Sequence, residues 1–146
     1  VKQKIVFGPL EEKHIAAVLD LEKRSIQYFW DYSQYLGHIR HGGVVFTAVC
    51  ADTLYGYITA LKCADQWEIY KIAVAQEQRN CGVGRKLLDY FLHYYKILEK
   101  GEPVYLETAV SNTARFFYEK QGFAYAGRRK KYYPDGEDCI LYVRQH

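Results

Sequence analysis

Between residues 67 and 95 the chain changes its period within a few positions. "WEIYKIAV" is rich in β-branched and aromatic residues and ends at Val74, whereas Val83, Leu87, Leu88, Phe91, Leu92 and Tyr95 fall on one helical stripe. Between the two lies "QRNCGVG", with glycines at 82 and 84. A strand that hands over to an amphipathic helix in this way belongs to an α/β domain. The start of such a helix presents backbone N–H groups with no partner inside the helix, together with the positive end of the helix dipole. Glycines there carry no side chain to hold a ligand off, which suits a phosphate or pyrophosphate. Arg79, Arg85 and Lys86 add cations beside the same point. A tight turn with no ligand is the competing reading.

The remaining sequence extends this pattern on both sides. "KIVF" at 4–7 reads as a short strand, and the spacing of Ile15, Val18, Leu19 and Leu21 predicts a helix from Leu10 to about Arg24. Asp31 is a good N-cap for a second helix. "GGVVFTAVC" and "LYGYITALKC" flank the turn-prone "ADT" and read as a hairpin, with "WEIYKIAV" as the next strand. After the 83–98 helix come a strand, "PVYLETAV", a helix, "NTARFFYEKQG", stopped by Gly122, and two strands around "PDGED". The expected architecture is α/β (α+β), a mixed but mostly antiparallel sheet of about seven strands with about four helices. Its 146 residues predict one domain, residues 1–146.

Composition narrows the function classes. No run approaches the ~18–20 apolar residues of a membrane span, and the N-terminus lacks a signal-peptide core, so a cytoplasmic protein without a membrane partner is expected. A net charge of +3 does not by itself imply nucleic-acid binding. Cys50, Cys63, Cys81 and Cys139 contain no C-x-x-C pair, which predicts reduced core thiols and neither zinc nor disulfides. No metal constellation is visible. Cys81, near a helix start, is a rival nucleophile or redox sensor, but no histidine lies beside it.

The G-x-G is neither a dinucleotide fingerprint, because position 87 is Leu, nor a P-loop, because no G-K-[ST] follows. It fits R/Q-x-x-G-x-G/A as Arg79-Asn80-Cys81-Gly82-Val83-Gly84. Here the sequence resembles the GCN5-related N-acetyltransferases, closest to the RimI-type ribosomal-protein-alanine enzymes. The resemblance covers nearly the whole chain: "LEKRSIQYFWDYSQY" is similar to the first-helix region, "EIYKIAVAQEQRNCGVGRKLL" to the cofactor motif, "LETAVSN…FFYEKQGF" to the catalytic segment and "GRRKKYYPDGEDCILYV" to the closing hairpin.

That resemblance implies acetyl-CoA as co-substrate, with its pyrophosphate on Arg79, Asn80, Cys81, Gly82, Val83, Gly84 and Arg85 and its pantetheine arm on the backbone of Ile72, Ala73 and Val74. Asn80 and Cys81 stand where many relatives carry basic residues. Glu107 falls on the proton-acceptor position and Tyr118 on the proton-donor tyrosine. Alternation puts Tyr105, Glu107 and Ala109 on one face of their strand; the residues alone leave open whether that face is plain surface or a cleft. Asn112 is placed in the cofactor site, although it lies six residues before Tyr118 where the family usually has seven between the two. Trp30, Tyr132 and Tyr133 are expected to contact the acceptor, and the basic run 128–131 is either solvated or faces an acidic partner. A protein N-terminal α-amine is the favoured acceptor: with a pKa of ~7.7–8.0 roughly a tenth of it is neutral near pH 7, against about one lysine in 2,500. Lysine or small-amine acceptors, and a non-catalytic acyl-CoA-binding module, are the alternatives. The oligomeric state, monomer or dimer, stays open.

Overall fold

The computed structural model describes residues 3–145. Among the described residues seven strands form one sheet: β1 (Val6–Pro9), β2 (Val44–Cys50), β3 (Thr53–Cys63), β4 (Gln66–Val74), β5 (Val104–Ala109), β6 (Ala124–Arg129) and β7 (Cys139–Arg144), in spatial order β1-β2-β3-β4-β5-β7-β6. Four α-helices accompany it: α1 (Ile15–Ser25), α2 (Tyr32–Arg40), α3 (Val83–Tyr94) and α4 (Ala114–Lys120). Every strand pair is antiparallel except β4–β5, which is parallel because α3 crosses over between them.

Local chemistry explains most element ends. Asp31 caps α2 through a reciprocal box, its carboxylate accepting from the Gln34 N–H at 2.8 Å while the Gln34 side chain accepts from Asp31 N–H at 2.9 Å. Gly122, at φ +91°, closes α4 in the left-handed conformation. The structure starts β1 two residues later than the sequence reading and opens the first helix at Ile15, after a 3-10 turn at Glu12–His14. Helix α3 ends at Tyr94, short of the expected 98.

Two cores sandwich the sheet. Phe46, Ile58, Trp67, Ile69, Leu106 and Ile140 face α3 and its Leu87, Leu88 and Phe91. Val45, Leu54, Tyr57 and Ala73 face Val18 and Leu21 of α1 and Tyr35 of α2. The expectation of four core thiols is corrected: Cys50 and Cys139 are buried, but Cys63 and Cys81 are exposed, because the first ends β3 and the second lies in the loop before α3.

Two irregularities in β4 set up everything that follows. Against β3, Thr59 pairs with Lys71 and Ala60 with Ile69, so Tyr70 is an extra residue, a β-bulge. Against β5, the ladder holds only Trp67↔Val104, Glu68↔Tyr105 and Ile69↔Leu106. Past those rungs the two strands diverge. Their closed end is pinned by Trp67, whose backbone N–H donates to the Pro103 carbonyl at 2.9 Å and whose indole N–H donates to Glu102 Oε1 at 3.1 Å.

Candidate active site

The divergence leaves the β5-facing edge of Lys71–Val74 without a strand partner, while β3 still pairs with the other edge as far as Val74. Ile72, Ala73 and Val74 thus offer backbone groups to an added extended segment. The Val74 carbonyl is partly engaged, accepting from Arg79 Nε at 3.1 Å.

Helix α3 begins at the mouth of the same gap. Its first intrahelical bond runs from Lys86 N–H to the Gly82 carbonyl at 3.0 Å, and no side chain caps the helix, which leaves the N–H groups of Val83, Gly84 and Arg85 without an acceptor inside the helix. Gly82 sits at φ +83° and a Cβ built there meets nothing within 4 Å. Its glycine is required by conformation, and the space in front of it is open. Gly84 differs: a Cβ there would lie 3.4 Å from the Phe117 ring and 3.6 Å from Val74. It lets α4 close against the start of α3. Asn80 supports the turn at φ +62°, a region asparagine tolerates, and the exposed Cys81 thiol donates to the Arg79 carbonyl at 3.5 Å. Asn112 has a structural task as well, its Oδ1 accepting from Ala114 N–H at 2.9 Å at the start of α4.

Phe117 carries Tyr118 next to this loop; their ring centroids are 5.6 Å apart. Tyr118 packs on Phe123 and belongs to the α3-side core. Burial raises its pKa above the ordinary phenol value, so it holds its proton across neutral pH and beyond.

Glu107 lies on the opposite face. In β5 the buried residues Leu106 and Thr108 turn toward α3, and the half-buried Tyr105, Glu107 and Ala109 turn the other way, as the alternation predicts. Glu107 accepts a hydrogen bond from the Cys139 thiol at 3.3 Å. Burial, and then this carboxylate, push the Cys139 thiol up to about 11, so it remains a donor. Glu68 stands on the same face, opposite Tyr105. Burial first, and then the Glu107 charge and a hydrogen bond to it, raise its pKa. The Glu107 charge also raises the pKa of Tyr132.

The β6–β7 turn is fastened over this carboxylate pair. Val110 N–H donates to the Asp138 carbonyl at 3.1 Å, and Ser111 N–H to Glu137 Oε1 at 2.7 Å. From that turn Tyr133 reaches Tyr28 in the α1–α2 loop, the rings stacking at 5.3 Å with an interplanar angle of 2°. Beside Tyr28, Trp30 packs on Tyr35, His38 and Tyr70. On this face Glu107 and Glu68 thus lie close to the point where two aromatic loops meet at the Tyr28–Tyr133 stack.

Sequence reasoning did not single out Glu68, Cys139 or the Tyr28–Tyr133 contact. Glu68 becomes visible only once the parallel register is known, and the tyrosine stack joins segments that no local pattern connects. Among the described residues no group of three or more metal-ligating side chains is assembled, and no helix is long and apolar enough to cross a membrane.

The chain is similar to several known proteins. An uncharacterized N-acetyltransferase of Methanocaldococcus jannaschii is 29% identical over 143 residues, covering 97% of this chain and 92% of the relative. The ribosomal protein bS18-alanine N-acetyltransferase of Escherichia coli is 28% identical over 141 residues, 92% of this chain and 93% of that one. A crystal structure of the Escherichia coli ribosomal-protein-S18-alanine N-acetyltransferase superposes with a TM-score of 0.85 at 24% identity, covering 97% of this chain and 94% of the other. The NatC complex bound to Gag peptide and CoA contains a chain with TM-score 0.82 at 21% identity, covering 98% and 99% of the two chains, a likeness of fold. Residues 11–123 match the Acetyltransferase (GNAT) family, and the chain belongs to that family.

Proposed function

We propose that this protein transfers the acetyl group of acetyl-CoA to the N-terminal α-amine of a protein, of the ribosomal-protein-alanine type. One observation carries the reading. The gap between β4 and β5 separates two differently built faces, with the uncapped start of α3 at its mouth and the Glu68–Glu107 pair near the Tyr28–Tyr133 stack on the far face. The first suits the pyrophosphate of a carrier whose arm lies along Ile72–Val74; Arg79, Asn80, Cys81, Arg85 and Asn112 border it. The second suits a narrow, flexible chain end entering beneath Tyr28 and Tyr133, with Trp30 and Tyr132 on its walls. A lysine on a folded surface would have to displace that stack.

In the reaction the amine nitrogen forms a bond to the acetyl carbon as the carbon–sulfur bond breaks. Glu107 takes the proton that the amine gives up, directly or through a water, a modest task for an α-amine. Cys139 holds the carboxylate in place by its hydrogen bond. Tyr118, which burial keeps protonated, supplies the proton that the leaving thiolate takes up, so one proton is received and one is given per turnover.

The test is CoA release over a panel of peptides and small amines. A peptide with N-terminal alanine is expected to be acetylated, and the same peptide with a blocked N-terminus is not. Turnover confined to free polyamines or to internal lysine would overturn the acceptor assignment, and tight acetyl-CoA binding with no release for any amine would overturn the enzyme reading.

A further inference from the structure

Beneath the α1–α2 loop lies a buried charge cluster to which no role has been given above. Glu22 of α1 is fully buried, at 0% exposure, and its carboxylate accepts from four groups in the interior. Oε1 receives the Tyr57 hydroxyl at 2.9 Å and the Tyr35 hydroxyl. Oε2 receives Lys71 Nζ at 2.8 Å and the backbone N–H of Trp30 at 2.5 Å. Tyr35 also shares a hydrogen bond with Thr59 Oγ1 at 3.2 Å. The Lys71 ammonium, itself 7% exposed, donates a second bond to the Tyr28 carbonyl at 2.8 Å and lies 4.8 Å from the centre of the Trp30 ring. The pair thus grips the loop at both ends of Tyr28–Trp30, the carboxylate holding the Trp30 amide and the ammonium the Tyr28 carbonyl. A charge pair sealed from water is weak evidence for stability, since packed apolar residues serve as well or better. What it can supply is geometry. Charge-assisted bonds to two backbone groups fix a short loop that has no helix or sheet bonding of its own.

We propose that Glu22 and Lys71 are positioning residues for the acceptor: through the Tyr28–Trp30 loop they set the wall against which the first residues of the acceptor rest. The inference depends on the acceptor site proposed above, and its test separates the two.

Steady-state kinetics with an N-terminal-alanine peptide, and calorimetric binding of acetyl-CoA, are compared for the wild type, Lys71→Met and the double variant Glu22→Gln/Lys71→Met. The double variant leaves no unpaired charge in the interior, so it keeps the test usable if Lys71→Met does not fold. Its glutamine still accepts from the tyrosines, but nothing reaches the Tyr28 carbonyl. The peptide KM is expected to rise at least tenfold, with kcat within threefold and the acetyl-CoA Kd within twofold of the wild type. A folded double variant with an unchanged peptide KM overturns the proposal, as does a loss of kcat and acetyl-CoA binding by equal factors. If the wild type turns over no amine, the proposed function fails by itself. The anchor is then judged by amide exchange at residues 28–30, expected to quicken at least tenfold in the double variant; unchanged exchange there would equally defeat it.

Discussion

Replacing Gly82 with alanine isolates what the loop before α3 does. Gly82 has φ +83°, and its added methyl would touch no protein atom within 4 Å, so the folded protein bears only the cost of holding alanine in the left-handed region. That cost is about 1–2 kcal/mol, which for a chain of this length lowers the melting temperature by roughly 3–8 °C. Gly42 provides the control, because it has φ +87° and equally empty surroundings at the turn between α2 and β2. Gly42→Ala should lose the same stability. The two should part when acetyl-CoA is titrated by calorimetry at a temperature where both are folded. If the Val83, Gly84 and Arg85 amides hold the carrier's pyrophosphate, Gly82→Ala either places its methyl in the ligand's space or relaxes φ and re-aims those amides. Either route should weaken binding at least tenfold, about 1.4 kcal/mol, while Gly42→Ala binds as the wild type does. Equal affinities in the two variants would refute the assignment of the helix start as the carrier's anchor.

Other outcomes follow from the far face of the gap. Glu107→Gln should lower turnover at least tenfold while acetyl-CoA still binds, measured by CoA release beside calorimetry. Tyr118→Phe should do the same, and the wild type should show no loss of activity from Tyr118 ionisation below about pH 10, since burial raises that phenol above its ordinary range. Glu68 binds its proton more tightly in the folded protein than in the unfolded chain, owing to burial and the Glu107 charge. Its contribution to stability is therefore lost as pH rises through the carboxylate range. Glu68→Gln should raise the melting temperature at pH 7 and leave it nearly unchanged at pH 4, which parallel thermal melts will decide.

Much of the fold is legible in local patterns. The amphipathic stripe of α3, the Asp31 cap and the alternation of β5 each depend on neighbours in sequence, and each stands where those neighbours place it. The Gly82 turn is readable for the same reason. What escapes is set by register. Simple alternation along β4 would put Ile69, Lys71 and Ala73 on one face; the bulge at Tyr70 leaves Ile69 on the α3 side but sends Lys71 and Ala73 to the α1 side. Nothing in "WEIYKIAV" announces that extra residue, so neither the Glu22–Lys71 pair nor the proximity of Glu68 to Glu107 is visible before the strands are aligned. The Tyr28–Tyr133 stack is hidden for a related reason, as its partners meet only after two distant loops are positioned.

The bulge at Tyr70 also acts as a reading frame for the whole site. A strand that took Tyr70 into the ladder as an ordinary rung would keep every side chain the chemistry needs, yet it would turn the Lys71 ammonium to the Ile69 face, toward α3, and strand Glu22 without its counter-ion. Loss of Tyr70 itself would smooth the strand and leave Lys71 beside Glu22, whereas loss of one residue between Lys71 and Val74 would invert every side chain beyond the cut.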